Sequence, residues 1–339
     1  MSPSTAIPTL GVIGPVRVAY GIAADGVVQR AQPGGGGLYA AAGARVWAEK
    51  VTIVSRVTRA TLTPLLPTLA ANGLDVARIR LIPGDEADIE FHAVMPSGNA
   101  EQSNPSTHFL RLGKPIPKEL LGIHGSERSA PLDAPPGELA VRADDLPPAS
   151  QRWEAAHLTP MEYFSQATLP VRLQELGVHQ ITLDPTPALM DPARRMELST
   201  VLRSLHAFLP SEEEVLALQR PRRSDLWDCA EELSELGPPI VVIKRGPLGV
   251  LVWEAASRSR WVVPAYGASE RDRFGAGDAF CGGFVAGLAL TGDPVEAALR
   301  GSVSASLGIE GFGALYPLGA TPGLATARLD SLRRQVQPA

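Results

Sequence analysis

The run Arg271-Asp-Arg-Phe-Gly-Ala-Gly-Asp278 is the part of the chain best suited to chemistry. Gly275, Ala276 and Gly277 are small, and Asp278 follows them directly. Ala279 to Leu290 is apolar and rich in glycine and alanine, which suits a packed core helix. A helix opening on such a run keeps its first backbone N–H groups free at the positive end of its dipole. That is an anion site suited to phosphate. An aspartate placed there can take a proton from a hydroxyl attacking a phosphoryl group. The plainer alternative is that Asp278 only caps the helix, with glycines for tight packing.

Two further stretches are candidates. Val241 to Gly249 combines an apolar strand with Lys244, Gly246 and Gly249, and reads equally as a strand, a turn and a hairpin. Ser211 and Glu214 stand at the N-cap and third position of a helix, a capping box that needs no catalysis to explain it. His124, His157 and His206 are scattered and read as structural. Gly34 to Gly37 lacks the spacing and following acid of a dinucleotide site. No P-loop motif, H-E-x-x-H or cysteine cluster occurs.

The elements that must position these residues alternate. Apolar strands are expected at 51–55, 79–82, 155–158, 180–184, 206–209, 239–244 and 249–254. Helices are expected at 38–49, 62–72, 164–176, 194–202, 211–218, 227–236, 275–290 and 295–307. Strands alternating with helices predict a mostly parallel sheet covered on both faces. Two segments have period two instead: Gly11 to Gln32, with a turn at Asp25-Gly26, and Ile89 to Leu112, with strands at 89–94 and 108–112 around Ser97-Gly98-Asn99. They predict a small separate sheet, a lid formed by about 14–32 and 86–113, inserted in one domain spanning 1–339. Pro115 to Pro148 reads as loops with one short helix.

The whole chain sets bounds. Its 339 residues, 45% hydrophobic, allow a large core. With 36 acidic against 31 basic residues it has no basic excess for nucleic acid. No stretch reaches the ~18 apolar residues of a membrane span. Met1 to Gly14 lacks the pattern of a signal peptide. Two cysteines, Cys229 and Cys281, read as reduced thiols of a cytoplasmic protein.

Asp272, Gly275, Ala276, Gly277, Asp278 and Phe280 resemble the second signature of the PfkB carbohydrate kinases, D-T-x-G-A-G-D followed by F, with Arg273 in place of the threonine. The resemblance implies a ribokinase-like three-layer α/β/α sandwich and ATP-dependent phosphorylation of a small-molecule hydroxyl. It makes Asp278 the base and the Gly275–Gly277 amides the anion hole. Lys244, Gly246, Gly249, Ser211 and Gly313 would line ATP, and Glu214 would reach Mg²⁺ through water. Asp272 becomes a candidate for a monovalent cation. Pro33 to Arg45 sits where the family contacts its sugar, so Gly35, Gly36 and Tyr39 become substrate residues. Tyr39 replaces the family's asparagine there. The family's early sugar-holding aspartate should fall near Val18-Ala19, where no acid stands. The glycine-tyrosine-alanine pattern resembles a divergent branch of the family. These departures suggest a nucleoside-like or aromatic acceptor, and leave open a same-fold sensor or partner protein without activity. An exposed lid edge suggests a homodimer.

Overall fold

Residues Ile240 to Ile243 are all buried, and successive side chains pack in different cores: Ile240 and Val242 in one, Val241 and Ile243 in the other. This is the pattern of a strand covered on both faces. The computed structural model describes residues 8–95, 100–123, 135–148, 151–220 and 225–339.

The chain begins β1 (Thr9–Ile13), β2 (Arg17–Ile22), β3 (Val28–Gly34), α1 (Gly36–Arg45), β4 (Lys50–Thr58), α2 (Arg59–Leu62), α3 (Leu66–Ala71), β5 (Asp75–Ile82), β6 (Ile89–Val94), β7 (Ala100–Glu101) and α4 (Pro105–Arg111). It continues β8 (Ala155–Leu158), α5 (Tyr163–Glu175), β9 (Gln180–Leu183), α6 (Arg195–Leu202), β10 (Ala207–Phe208), α7 (Glu212–Leu218), α8 (Leu226–Glu235) and β11 (Ile240–Lys244). The last elements are β12 (Val250–Glu254), β13 (Ser259–Val263), α9 (Ala276–Thr291), α10 (Pro294–Gly308), α11 (Leu324–Arg333) and β14 (Gln337–Pro338).

The large sheet has the order β14-β13-β12-β11-β10-β9-β8-β1-β4-β5. It is parallel from β11 to β5 and antiparallel from β11 to β14. Helices α5 to α8 supply the core on one face, and α1, α9 and α10 pack on the other. The small sheet has the order β3-β2-β6-β7, with β2 and β6 parallel. The α/β sandwich with a small extra sheet is the architecture expected from the alternating pattern.

Two local expectations fail. His108 to Arg111 belongs to helix α4, with Leu112 as its C-cap, and not to a strand. Pro105, His108 and Phe109 are buried at helical spacing, and Pro105 is pre-set for the first turn. The helix expected at 62–72 is two short ones, because Pro64 and Pro67 interrupt it. The turn expected at Ser97-Gly98-Asn99, and His124, lie outside the described residues. β13, β14 and α11 were not anticipated. No helix among the described residues is long and apolar enough to cross a membrane.

Candidate active site

Helices α1 and α9 touch backbone to backbone. A Cβ on Gly282 would collide with the Ala40 carbonyl, and one on Gly43 with the Ala279 carbonyl. Glycine at both positions lets the helices approach closely, so their N-termini arrive together. The join is tight at its end: a Cβ on Gly36 would stand 2.9 Å from Asp278 Oδ1 and 3.3 Å from Thr159 Oγ1. Gly275, the N-cap of α9, has φ 75°, and a side chain there would strike the Tyr39 ring. Both facts require glycine.

These two helix starts open on a cavity of about 600 Å³. Gly36, Gly275, Gly277 and Asp278 reach it from the helices, and Ser211, Glu214 and Lys244 from the end of the large sheet. The parallel strands point their carboxyl ends here, the usual position for a site in an open α/β sheet.

Lys244 closes β11. Its N–H donates to the Pro210 carbonyl at 2.8 Å, which fixes the strand end beside the start of α7. Its Nζ donates to Asp184 and lies 3.6 Å from Cys281 Sγ. The same Nζ would be 3.7 Å from a Cβ on Gly277. The ammonium therefore sits beneath the first turn of α9. Burial opposes its charge, but the Asp184 carboxylate beside it outweighs burial and holds the lysine protonated. Burial pushes the Cys281 thiol well up, so it is no nucleophile at neutral pH.

The Ser211–Glu214 capping box is formed as expected. Glu214 Oε2 accepts from the Ser211 N–H at 2.7 Å and from its hydroxyl at 2.8 Å, and the Glu214 N–H donates to Ser211 Oγ at 3.3 Å. Burial, and then the charge of Asp184, raise the Glu214 carboxyl above its usual range.

The remaining expected residues lie off the cavity walls. Gly246 and Gly249 shape the turn between β11 and β12, where a Cβ on Gly249 would collide with the Val263 carbonyl. Gly313 stands against the small sheet, where a Cβ on it would be 3.7 Å from Gln32 Cβ, and the next residue, Ala314, donates its N–H to the Pro33 carbonyl. Tyr39 is 5% exposed, with its ring behind Gly275 and edge-on to Phe274. Gly35 follows β3 and caps α1.

Four polar residues near the cavity were not singled out from the sequence. Asp184 follows β9, is 5% exposed and holds Lys244; it read only as the end of a strand. Arg17 and Asp88 line the cavity and pair at 3.0 Å. Burial works against the Arg17 charge, and Asp88, Glu90 and Asp278 outweigh it. Glu90 is the register partner of Ala19 across β2 and β6. The acid missing at position 19 therefore has a counterpart one strand away. Its Oε1 accepts from the Gly35 N–H at 2.8 Å, and its buried Oε2 has no partner among the described residues.

The residues present fit a nucleotide with its own divalent ion. An open helix start, a buried lysine and two carboxylates converge on one cavity. Among the described residues, no group of three or more His, Cys, Asp and Glu side chains could hold a metal ion. Phosphates and water would therefore supply most ligands, as Mg²⁺ prefers. Asp272 does not fit a monovalent cation. Its Oδ1 accepts from the Phe274 N–H at 2.9 Å and its Oδ2 faces His92 Nε2 at 2.7 Å.

Residues 164–320 match the model of the pfkB family of carbohydrate kinases. A cytidine kinase of Thermococcus kodakarensis is 27% identical over 296 residues, 86% of this chain and 92% of that protein. A putative ribokinase II from Escherichia coli, in complex with ATP and Mg²⁺, superposes with a TM-score of 0.69 at 18% identity, covering 97% of this chain and 100% of the other. A fructokinase double mutant from Vibrio cholerae, with fructose, ADP and potassium ion bound, gives 0.67 at 17% identity, covering 96% and 99%. The part of the chain that matches the pfkB family model thus includes the helix start that carries Asp278, and the fold as a whole is ribokinase-like.

Proposed function

We propose that the chain transfers a phosphoryl group from ATP to a hydroxyl of a small molecule, with a nucleoside as the preferred class of acceptor. One observation carries the reading: Asp278 opens α9 on the same cavity as Gly36, Lys244 and Glu214. Mg-ATP supplies the phosphoryl group and the metal charge when bound. Gly246, Gly249 and Gly313 are assigned to the nucleotide by the family resemblance outside the signature, although they stand away from the cavity walls. The Gly275 and Gly277 amides would stabilise charge on the phosphoryl oxygens, whereas the Ala276 N–H donates to the Arg273 carbonyl at 3.1 Å and would have to leave it to join them. Lys244, kept protonated by Asp184, adds a fixed positive charge below them. Ser211 and Glu214 hold each other rigid, which suits a carboxylate acting through metal-bound water.

Asp278 takes the proton of the attacking hydroxyl. Gly36, beside it, belongs to the acceptor side, as does Gly35 behind it, and Tyr39 shapes the loop from below. Arg17 and Asp88 are the polar pair on that wall, suited to orienting hydroxyls. The cytidine kinase relative inclines the acceptor towards nucleosides. A homodimer through the small sheet is part of the same proposal, since β3 and β7 are its outer strands among the described residues. Sedimentation at two protein concentrations checks it.

The test is a panel of nucleosides and sugars with ATP and Mg²⁺, run on the natural protein and on Asp278→Asn. Turnover of one nucleoside is expected, reduced by about 10²–10⁴-fold in the variant, with nucleotide affinity kept. No transfer to any acceptor, with ATP still bound, would favour a sensor without activity.

A further inference from the structure

Asp272 was a candidate for a monovalent cation, and in the structure His92 faces its carboxylate. His92, on β6 of the small sheet, is fully buried, and Asp272 is 2% exposed. Nε2 of the imidazole meets Asp272 Oδ2 at 2.7 Å. An ionised carboxylate only accepts, so Nε2 carries the proton of this bond. The ring is also held on both faces. Phe274 stacks on one side at 4.1 Å with an interplanar angle of 8°, and Phe312 on the other at 4.8 Å and 10°. A Cβ on Gly21, in the adjacent strand, would collide with Phe312, so the ring and the sheet pack without space between them.

Three parts of the chain meet at this point. Phe274 precedes Gly275 and belongs to the loop that starts α9. Phe312 follows α10. His92 comes from the small sheet. The other oxygen of Asp272 is committed to the Phe274 N–H, and the backbone N–H groups of Arg271 and Asp272 both donate to the Ile309 carbonyl, at 2.7 and 3.1 Å. A bare cation would have to displace the imidazole from between two rings to reach the carboxylate.

We propose that His92 replaces the monovalent cation at Asp272, so that the loop carrying Gly275 to Asp278 is set by an imidazole from the small sheet and does not respond to K⁺. The cation would neutralise and order the Asp272 turn from solution. The histidine orders that turn from within the fold, through the N–H it donates to the carboxylate. It also ties the small sheet to the phosphate loop, which a free ion would not do.

The proposal concerns the loop and does not depend on the acceptor. Melting temperature, with and without ADP and Mg²⁺, and ADP affinity are measured in KCl and in tetramethylammonium chloride at equal ionic strength. For the natural protein, affinity is expected to agree between the salts within about twofold. A K⁺-specific tightening of about tenfold or more, an ordinary size for coupled sites, would overturn the proposal. His92→Ala removes the donor and opens the space, whereas His92→Gln keeps an N–H donor. The alanine variant is expected to gain a K⁺-specific rise in melting temperature, and the glutamine variant a smaller one. A folded alanine variant as indifferent to K⁺ as the natural protein would overturn the replacement and leave His92 a packing residue. Should the alanine variant not fold, the natural protein in the two salts still decides. Failure to bind ADP in either salt would count against the kinase reading alone, and the melting temperatures without nucleotide would still test the cation.

Discussion

Gly36 and Asp278 are in contact across two helix starts: a Cβ on Gly36 would lie 2.9 Å from the Asp278 carboxylate. Gly36→Ala therefore pushes on the proposed base and not on the backbone. The carboxylate is the movable partner, so the variant is expected to fold with a melting temperature close to that of the natural protein. Displacing a catalytic group by a fraction of an ångström to an ångström costs up to about 10²-fold in rate. Turnover against the acceptor identified in the panel checks this, with ADP affinity as the control.

Lys244 and Asp184 form a buried pair, with side chains 13% and 7% exposed. Removing one partner leaves the other charge buried. Lys244→Met is expected to lower stability by about 3–5 kcal/mol. Adding Asp184→Leu to it is expected to recover part of that loss, because no charge is left without its partner. Urea unfolding of the single and double variants measures the difference, and strictly additive losses would refute the pairing.

His157 stands in the core of β8, with Nδ1 2.8 Å from Thr182 Oγ1. Burial, and then the charge of Lys244, lower it to about 3. The unfolded chain takes up a proton near pH 6.5 that the folded chain refuses until about pH 3. Stability from this group is thus complete above pH 6.5 and declines as pH falls from there towards 3. The slope it contributes approaches about 1.4 kcal/mol per pH unit, one proton's worth. In His157→Gln the fall in unfolding free energy between pH 6 and 4 should be shallower by nearly that amount. His206, also lowered by burial, contributes equally to both proteins.

Gly282→Ala places a methyl group against the Ala40 carbonyl, which cannot rotate away. Overpacking of this kind costs about 1–3 kcal/mol, sometimes more. Chemical denaturation is expected to show at least that loss. Turnover should fall too, because α1 and α9 must separate and carry Gly36 away from Asp278.

The second half of the fold was readable because its signals are local. Gly177 ends α5, Ser211 and Glu214 cap α7, and the apolar run of β11 has no rival reading. The segment at 108–112 misled because five residues fit a strand and a helix equally, and buried Pro105 decides for the helix. The parts of the site on one continuous run, Gly275 to Asp278, were visible as a run. Glu90 was not, because its closeness to Ala19 is set by the register of β2 on β6. Nor was His92, whose partners Asp272, Phe274 and Phe312 lie about two hundred positions away. Asp184 looked like a strand end until Lys244 was placed beside it.

The contact between α1 and α9 divides this protein into parts that can change at different speeds over evolutionary time. Gly43 and Gly282 meet carbonyl groups, so neither can accept any side chain without moving both helices. The helix starts that this contact aligns are locked to each other, and drift at one requires compensation at the other. The wall to which Arg17 and Asp88 contribute meets no backbone carbonyl in this way, because its contacts are made by side chains. Under the proposed function, the helix starts that serve the phosphoryl group could thus stay fixed while the wall facing the acceptor changes.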